Sequence, residues 1–326
     1  MRALEKPLLL VVLVGSLQVF AAGATATAQI TASDIEDSVL EGPLESDSTA
    51  PSAAVVKLQV LLDRAGASPG VIDGFLGENV SKAIAAFESM EGLAADGEID
   101  PDMLGRLPQA GPITQRYVIT AEDAADVVGT LPEDYSELAE LEFLGYETVA
   151  EKLAERFHMD EDLLAALNPG ATYAAGEEIV VVDPGPEVTG EVSRIEADKG
   201  RRQVRAYAAD GKLLAAYPAT IGSTENPSPS GTHAVAVVVL MPEYSYNPEN
   251  FKQGDNEEPL TIPPGPNGPV GSVWIDLTEP TFGIHGTPKP SLIDKTVSHG
   301  CVRLTNWDAE ELSTLVSKGV PVAFIE

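Results

Sequence analysis

The sequence predicts a multidomain chain in which a small all-α domain and a small α+β module precede a β-rich C-terminal domain with one late helix. Three observations carry this. Apolar residues recur at helical spacing over 53–108, a strand–helix–helix–strand alternation follows over 112–185, and from residue 190 short β-prone runs alternate with Gly- and Pro-rich turns. A length of 326 residues, with 29 Gly and 25 Pro, suits two or three compact units better than one.

Residues 1–28 have the three parts of a secretory signal: basic Arg2 and Lys6, an apolar stretch from Leu8 to Phe20, and Ala26-Thr27-Ala28 as a cleavage site. The apolar run is shorter than the ~20 residues that span a bilayer, so cleavage is expected rather than a membrane anchor. No Cys lies near the site for lipid attachment. The expectation is export, with no stable membrane insertion afterwards. Residues 29–52, acidic and rich in Ser and Thr, read as a disordered linker.

Val55, Leu58, Leu61 and Leu62 then share one helix face, and Val80, Ala83, Ile84 and Phe87 share another. Asp100-Pro101 is an N-cap with a first-turn proline for a third helix. Ile72-Asp73-Gly74 and Asp96-Gly97 mark the turns. In the next unit Tyr117–Thr120 reads as a strand, 148–157 and 161–167 as helices, and Ile179–Val182 as a closing strand. Within 190–326, Val204–Ala208 and Leu213–Tyr217 form a predicted hairpin. His233–Leu240 is a buried strand candidate, and Val273–Leu277 and Val320–Ile325 are further strands. Thr305-Asn306-Trp307-Asp308 has the form of a capping box. The long polar stretch 241–270 is expected to be functional.

Acidic residues number 51 against 20 basic ones, a formal charge of −31. Such a surface repels phosphate backbones, so nucleic acid is excluded as a partner. The acidity sits on residues 29–189, which carry a net −26 against −6 for 190–326.

Chemistry concentrates near the C-terminus. Ile284-His285-Gly286-Thr287 is followed by Ser298-His299-Gly300-Cys301-Val302-Arg303-Leu304, with the only cysteine 16 residues after His285. A thiol with a reference pKa of about 8.5 is a poor nucleophile until a base or cation activates it, and imidazole is the usual partner. Gly286 and Gly300 suggest close backbone approach or conformations barred to other residues. A main-chain N–H near Cys301 would stabilise an oxyanion. Three zinc ligands from His285, His299 and Cys301 form the sharpest rival, but no further Cys or acid completes a familiar motif. The prolines of 265–271 rule out a phosphate loop. His158 and His233 read as packing or surface residues.

These motifs carry resemblances. Residues 53–108, from Leu58-Gln59 through Ile72-Asp73-Gly74, Gly92-Leu93 and Asp96-Gly97, are similar to the three-helix peptidoglycan-binding domain. Residues 112–185, with LLAALNPG and GEEIVV, resemble a degenerate lysin motif carrying an insertion around 121–146. Residues 190–326 resemble the L,D-transpeptidase catalytic domain through the His-Gly-Thr segment, S-H-G-C-x-R-L, Pro229-Ser230-Gly231-Thr232 and 265–271.

The last resemblance implies a β-sandwich-like fold and a cell-wall enzyme that uses no cofactor and no metal. Cys301 would be the nucleophile and His285 the proton donor and acceptor, oriented by the Gly286 carbonyl. His299 and Gly300 would shape the oxyanion region. Arg303, Ser298, Thr287, Tyr244, Tyr246 and Trp274 are implied in substrate binding, Ser298 also in bracing the turn, with 241–270 as a lid. The reaction would be 3→3 cross-linking of peptidoglycan tetrapeptide stems with release of D-Ala, in the periplasm or cell wall. Water as acceptor would give a carboxypeptidase or endopeptidase, and a protein lysine an anchoring transferase. A non-catalytic wall-binding protein is the alternative from another class. Oligomeric state is left open.

Overall fold

The computed structural model describes residues 30–44, 49–109, 111–125, 127–223, 225–298 and 300–326. The expected signal segment 1–28 and His299 lie outside the described residues.

The fold begins earlier than the sequence predicts, and the disordered-linker reading of 29–52 is corrected over 30–38, the rest of that stretch lying partly outside the described residues. Helix α1 (Ala32–Asp37) is held by a capping box between Thr31 and Asp34. Ile35 is fully buried, and the Glu36 carboxylate accepts from the main-chain N–H of Ile113 and Thr114 and from the Thr114 hydroxyl, at 2.7–2.9 Å. Two apolar residues, Ile30 and Ile35, are too few to show a period in sequence. They enter a core built by other segments.

Helices α2 (Ala53–Arg64), α3 (Glu78–Glu91) and α4 (Pro101–Leu104) follow as predicted. The Gln59 side chain holds the 72–74 turn by accepting from Asp73 and Gly74 N–H, and buried Glu88 accepts from Gly97 N–H at 2.9 Å. The next unit is β1 (Thr114–Val118), α5 (Tyr135–Leu138), α6 (Val149–Arg156), α7 (Glu161–Leu167) and β2 (Glu178–Val182), with β1 and β2 antiparallel. The predicted order holds, β1 starting three residues early and α5 arising inside the 121–146 insertion.

The two accessory units share one hydrophobic core, running from Ile35 through Leu58, Phe87 and Leu107 to Leu153, Leu164 and Val181. It also takes in Leu213 and Ala216 of the C-terminal domain. Arg64 ties the units together by donating to the carbonyls of Pro112 and Asp183 at 2.6 and 2.9 Å.

The C-terminal domain comprises β3 (Arg194–Asp198), β4 (Gln203–Tyr207), β5 (Leu213–Pro218), β6 (Thr220–Ile221), β7 (Gly231–Leu240), β8 (Tyr244–Tyr246), β9 (Leu260–Ile262), β10 (Val273–Leu277), β11 (Gly283–His285), β12 (Val302–Arg303), α8 (Asn306–Leu315) and β13 (Pro321–Ile325). Nine strands form one sheet in the order β5-β4-β3-β13-β7-β10-β11-β12-β6, while β8 and β9 pair separately. The sandwich-like expectation is met by two halves sharing β7, which pairs with β13 through its first residues and with β10 through the rest. Buried Ala309, Leu312 and Leu315 of α8 join the strands in one core.

Two details differ from expectation. β7 is not buried on both faces, since Val237 and Val239 are exposed on the side that carries the candidate site. Thr305 caps α8 through Asp308 N–H, but no reciprocal bond completes the box. The Asp308 carboxyl turns instead into the junction of the three units.

That junction is acidic and buried. His158 Nδ1 lies 2.8 Å from Asp63 Oδ2 of α2, and its ring stacks on Trp307 with centroids 5.3 Å apart. Glu155, Asp308, Glu310 and Glu311 line the same cavity, with Lys152, Arg156 and Glu187 at its margin. Burial opposes a charge on His158, but Asp63, Asp308 and Glu311 outweigh it and raise its pKa. Burial, with repulsion from Asp63, raises Asp308 to about 7, and burial raises Glu155 to about 8. Each of these groups binds its proton more tightly folded than unfolded, so stability is fullest in mild acid and falls as pH rises.

Two outcomes follow. Thermal unfolding scans should give a falling Tm between pH 5.5 and 8.5, with a shallower slope for Asp308→Asn; a rising Tm would contradict the assignment. Urea unfolding of Ile35→Ala should show a loss of about 2–5 kcal/mol, as for a buried aliphatic side chain, whereas a dispensable linker would show none.

Candidate active site

The site grows from strand pairing. Val239 pairs with Trp274, Trp274 with His285, and His285 with Arg303, so these four side chains cross β7, β10, β11 and β12 on one face. Cys301 stands two residues before Arg303 and by strand alternation shares that face. The Trp274 ring stacks on the imidazole with centroids 5.5 Å apart, and it fits because Gly283 offers no side chain.

His285 is 5% exposed, and its Nδ1 lies 2.7 Å from the Gly286 carbonyl. That bond assigns the proton to Nδ1 and leaves Nε2 as the base. Burial, helped by the positive charge of Arg303, pushes the imidazole down to about 4, against hydrogen bonds to the carbonyls of Gly286 and Val270. The ring is therefore neutral at physiological pH. Burial also raises the Cys301 thiol, against a hydrogen bond from Gly283 and the charge of Arg303. The thiol faces the Thr281 carbonyl at 3.7 Å, and among the described residues no hydrogen bond joins it to His285. The resting pair is thus neutral thiol and neutral imidazole.

The turn before the thiol is held by serines. Ser298 Oγ accepts from Gly222 N–H at 2.8 Å and donates to the Cys301 carbonyl at 2.6 Å, while Ser228 donates to the Gly300 carbonyl at 2.7 Å. Gly300 has φ +108°, and a Cβ there would lie 2.6 Å from the Phe282 ring, so the turn requires glycine. A Cβ on Gly286 would lie 2.2 Å from Asn306 Oδ1.

Of the residues named for substrate binding, Arg303, Tyr244 and Trp274 lie partly open in this region. The other three are buried. Ser298 is buried and engaged in the turn, Thr287 is buried and accepts from Lys289 N–H, and Tyr246 is 1% exposed, its hydroxyl bonded to the Asn256 carbonyl and Gln253 N–H. Tyr246 shares a face of β8 with Tyr244 but lies deeper, packed against Tyr135 and Phe251.

Sequence reasoning missed Asn306. Its Nδ2 donates to Glu155 Oε2 at 2.9 Å and to the Pro266 carbonyl at 3.1 Å, and its Oδ1 accepts from Ser272 N–H. It thereby links α6 to the backbone behind His285. Its place in the α8 cap was visible, its partners were not.

The chain matches the L,D-transpeptidase catalytic domain model over residues 193–323 and a peptidoglycan-binding domain model over residues 51–107. It is 30% identical over 177 residues to a protein of Bacillus licheniformis named as the L,D-transpeptidase YkuD, covering 53% of this chain and 91% of that one. The chain belongs to the L,D-transpeptidase family. A YkuD of Bacillus subtilis is 28% identical over 173 residues, covering 52% of this chain and 89% of that one. Among solved structures, L,D-transpeptidase 3 from Mycobacterium tuberculosis, in complex with a faropenem-derived adduct, is similar with 18% identity and a TM-score of 0.35, over 47% of this chain and 75% of that one. The L,D-transpeptidase domain makes the chain an enzyme of that class, and with the peptidoglycan-binding domain it marks peptidoglycan as substrate or partner.

The neutral pair has a kinetic signature. The rate of Cys301 alkylation by iodoacetamide should climb from pH 6 through pH 9 without levelling, because burial keeps the thiol protonated. A plateau near pH 6 would show a thiolate–imidazolium pair instead.

Proposed function

We propose that this L,D-transpeptidase forms 3→3 cross-links by acyl transfer through Cys301. The observation that carries the reading is the His285 Nδ1 bond to the Gly286 carbonyl, which leaves Nε2 unprotonated on the sheet face it shares with the only thiol. Cys301 Sγ attacks the carbonyl of the third stem residue as its proton passes to His285 Nε2. The tetrahedral oxyanion is met by the Cys301 main-chain N–H, on the turn shaped by Gly300. The Gly300 N–H is already directed to Ser298 Oγ at 3.3 Å. The C–N bond then breaks, the D-Ala amine takes the proton from His285, and a thioester remains. A side-chain amine of a neighbouring stem attacks the thioester, His285 accepts its proton, and the thiol is restored.

In the same reading the N-terminal segment directs export, the protein works in the periplasm or cell wall, and the 53–108 domain holds it on peptidoglycan. His299 belongs to the oxyanion region by its place beside Gly300 in the motif.

The test is intact-mass spectrometry after incubation with a carbapenem, wild type beside Cys301→Ala and His285→Ala. A stoichiometric adduct should form on wild type, none on Cys301→Ala, and on His285→Ala at least ~100-fold more slowly. Muropeptide analysis of sacculi incubated with the enzyme should then show 3→3 dimers. Folded wild type with a titratable thiol and no adduct would overturn the reading.

A further inference from the structure

The 121–146 insertion does not hang free from its module but folds onto the 241–270 segment. Leu138 and Leu144 bury against Ile262, with Tyr135, Tyr244 and Leu260 around them. The Leu144 N–H donates to the Pro264 carbonyl at 2.8 Å, and the Leu144 carbonyl accepts from Asn267 N–H at 3.0 Å. Gln253 accepts from Tyr135 N–H at 3.0 Å and donates to the Glu133 carbonyl at 2.7 Å, and Asn256 donates to Asp134 at 3.1 Å. The 241–270 segment is therefore one half of a composite cap whose other half comes from the accessory module.

Tyr135 is the residue this cap carries into the cleft. Its ring meets Tyr244, Tyr246 and Phe251 edge-on, with centroids 6.1, 5.3 and 6.4 Å away. Tyr135 is close enough to Arg303 for the guanidinium to act on its ionisation, as Arg303 in turn feels Tyr135 and Cys301. Among the described residues the hydroxyls of Tyr135, Tyr173 and Tyr244 have no hydrogen-bond partner, whereas those of Tyr117, Tyr146, Tyr207, Tyr217 and Tyr246 are bonded. Arg303, likewise, has no carboxylate partner among the described residues, in a chain with 51 acids.

We propose that Tyr135 is a specificity-determining residue of the transpeptidase cleft, where its hydroxyl and the Arg303 guanidinium together bind the C-terminal carboxylate of the donor stem. The proposal rests on the acyl-transfer reading above. Two unpartnered donors, one of them cationic, suit an anion, and a guanidinium with a hydroxyl suits a planar carboxylate. The position follows from the reaction. The leaving amine takes its proton from His285, and the carboxylate of that leaving residue is two bonds from the amine. Arg303 is the register neighbour of His285, and so lies where that carboxylate falls.

The experiment compares a tetrapeptide donor with its C-terminal carboxamide on the full-length mature chain, reading release of D-Ala or D-alaninamide. Wild type should favour the acid. Tyr135→Phe, which keeps the ring contacts, should lower kcat/KM on the acid about 10-fold, mostly through KM, and leave the amide unchanged. In parallel, equilibrium binding of both peptides to Cys301→Ala, with and without Tyr135→Phe, reads the site without turnover. Equal losses on acid and amide, or no loss on either, would overturn the role of Tyr135. Absence of turnover and of a carbapenem adduct in wild type would instead mark failure of the acyl-transfer reading, and the binding measurement would still decide whether Tyr135 senses the carboxylate. Tyr135→Ala, with its Tm, separates loss of the cap from loss of the hydroxyl.

Discussion

The buried amide of Asn306 is the contact on which the site depends. At the first residue of α8 it occupies the space that side chains on Gly271 and Gly286 would fill, and it bonds both to the 263–272 turn and to Glu155 of the accessory module. It packs against Gly286, whose carbonyl decides which nitrogen of His285 carries the proton. A group of this kind, buried with its donors and acceptors matched, is costly to disturb in either direction. The proton chemistry of the imidazole is therefore anchored, through one side chain, to helices that the catalytic sheet does not itself contain.

This linkage changes what the accessory units are. Their cores are continuous, and residues 66–68 bond to Ala216 on β5, so they cover the edge strand of the nine-stranded sheet. Their acidic side chains meet at the His158–Trp307 stack, where burial raises the Asp308 carboxyl and the surrounding acids raise the imidazole. The strong negative charge of the chain is thus not confined to a solvated face. Part of it is buried at a junction that holds the modules against the catalytic unit, and its protonation couples docking to pH.

Around the thiol the electrostatics run the other way. Cys301, His285 and Arg303 lie partly or wholly out of solvent with no acid to neutralise the guanidinium among the described residues. The thiol and the imidazole are both neutral, and the positive charge of Arg303 beside them opposes a charge on His285 and favours one on Cys301. The composite cap brings together the rings of Tyr135, Tyr244 and Tyr246.

Much of this was legible in the sequence because it depends on near neighbours. The helices of 53–108, the Asp100 and Thr305 caps, the strand–helix–helix–strand order and the His285 to Cys301 constellation are each encoded by residues a few positions apart. Ser298, Thr287 and Tyr246 lay close to the motif or in the lid, yet proximity along the chain did not say which way their side chains face. Pairing and turn geometry turned them inward. Helix α1 was hidden because its two apolar residues pack into a core made elsewhere, and Tyr135 because its partners lie more than 100 residues away. The Leu131, Tyr135 and Leu138 spacing was its only local trace. The sequence by itself determined most of the elements, the family and the candidate site residues, since these rest on local spacing and residue chemistry. The tertiary structure alone decided the tautomer of His285, the merging of the modules and the packing of Tyr135 on the 241–270 segment, because each is set by contacts between segments whose meeting no local pattern records.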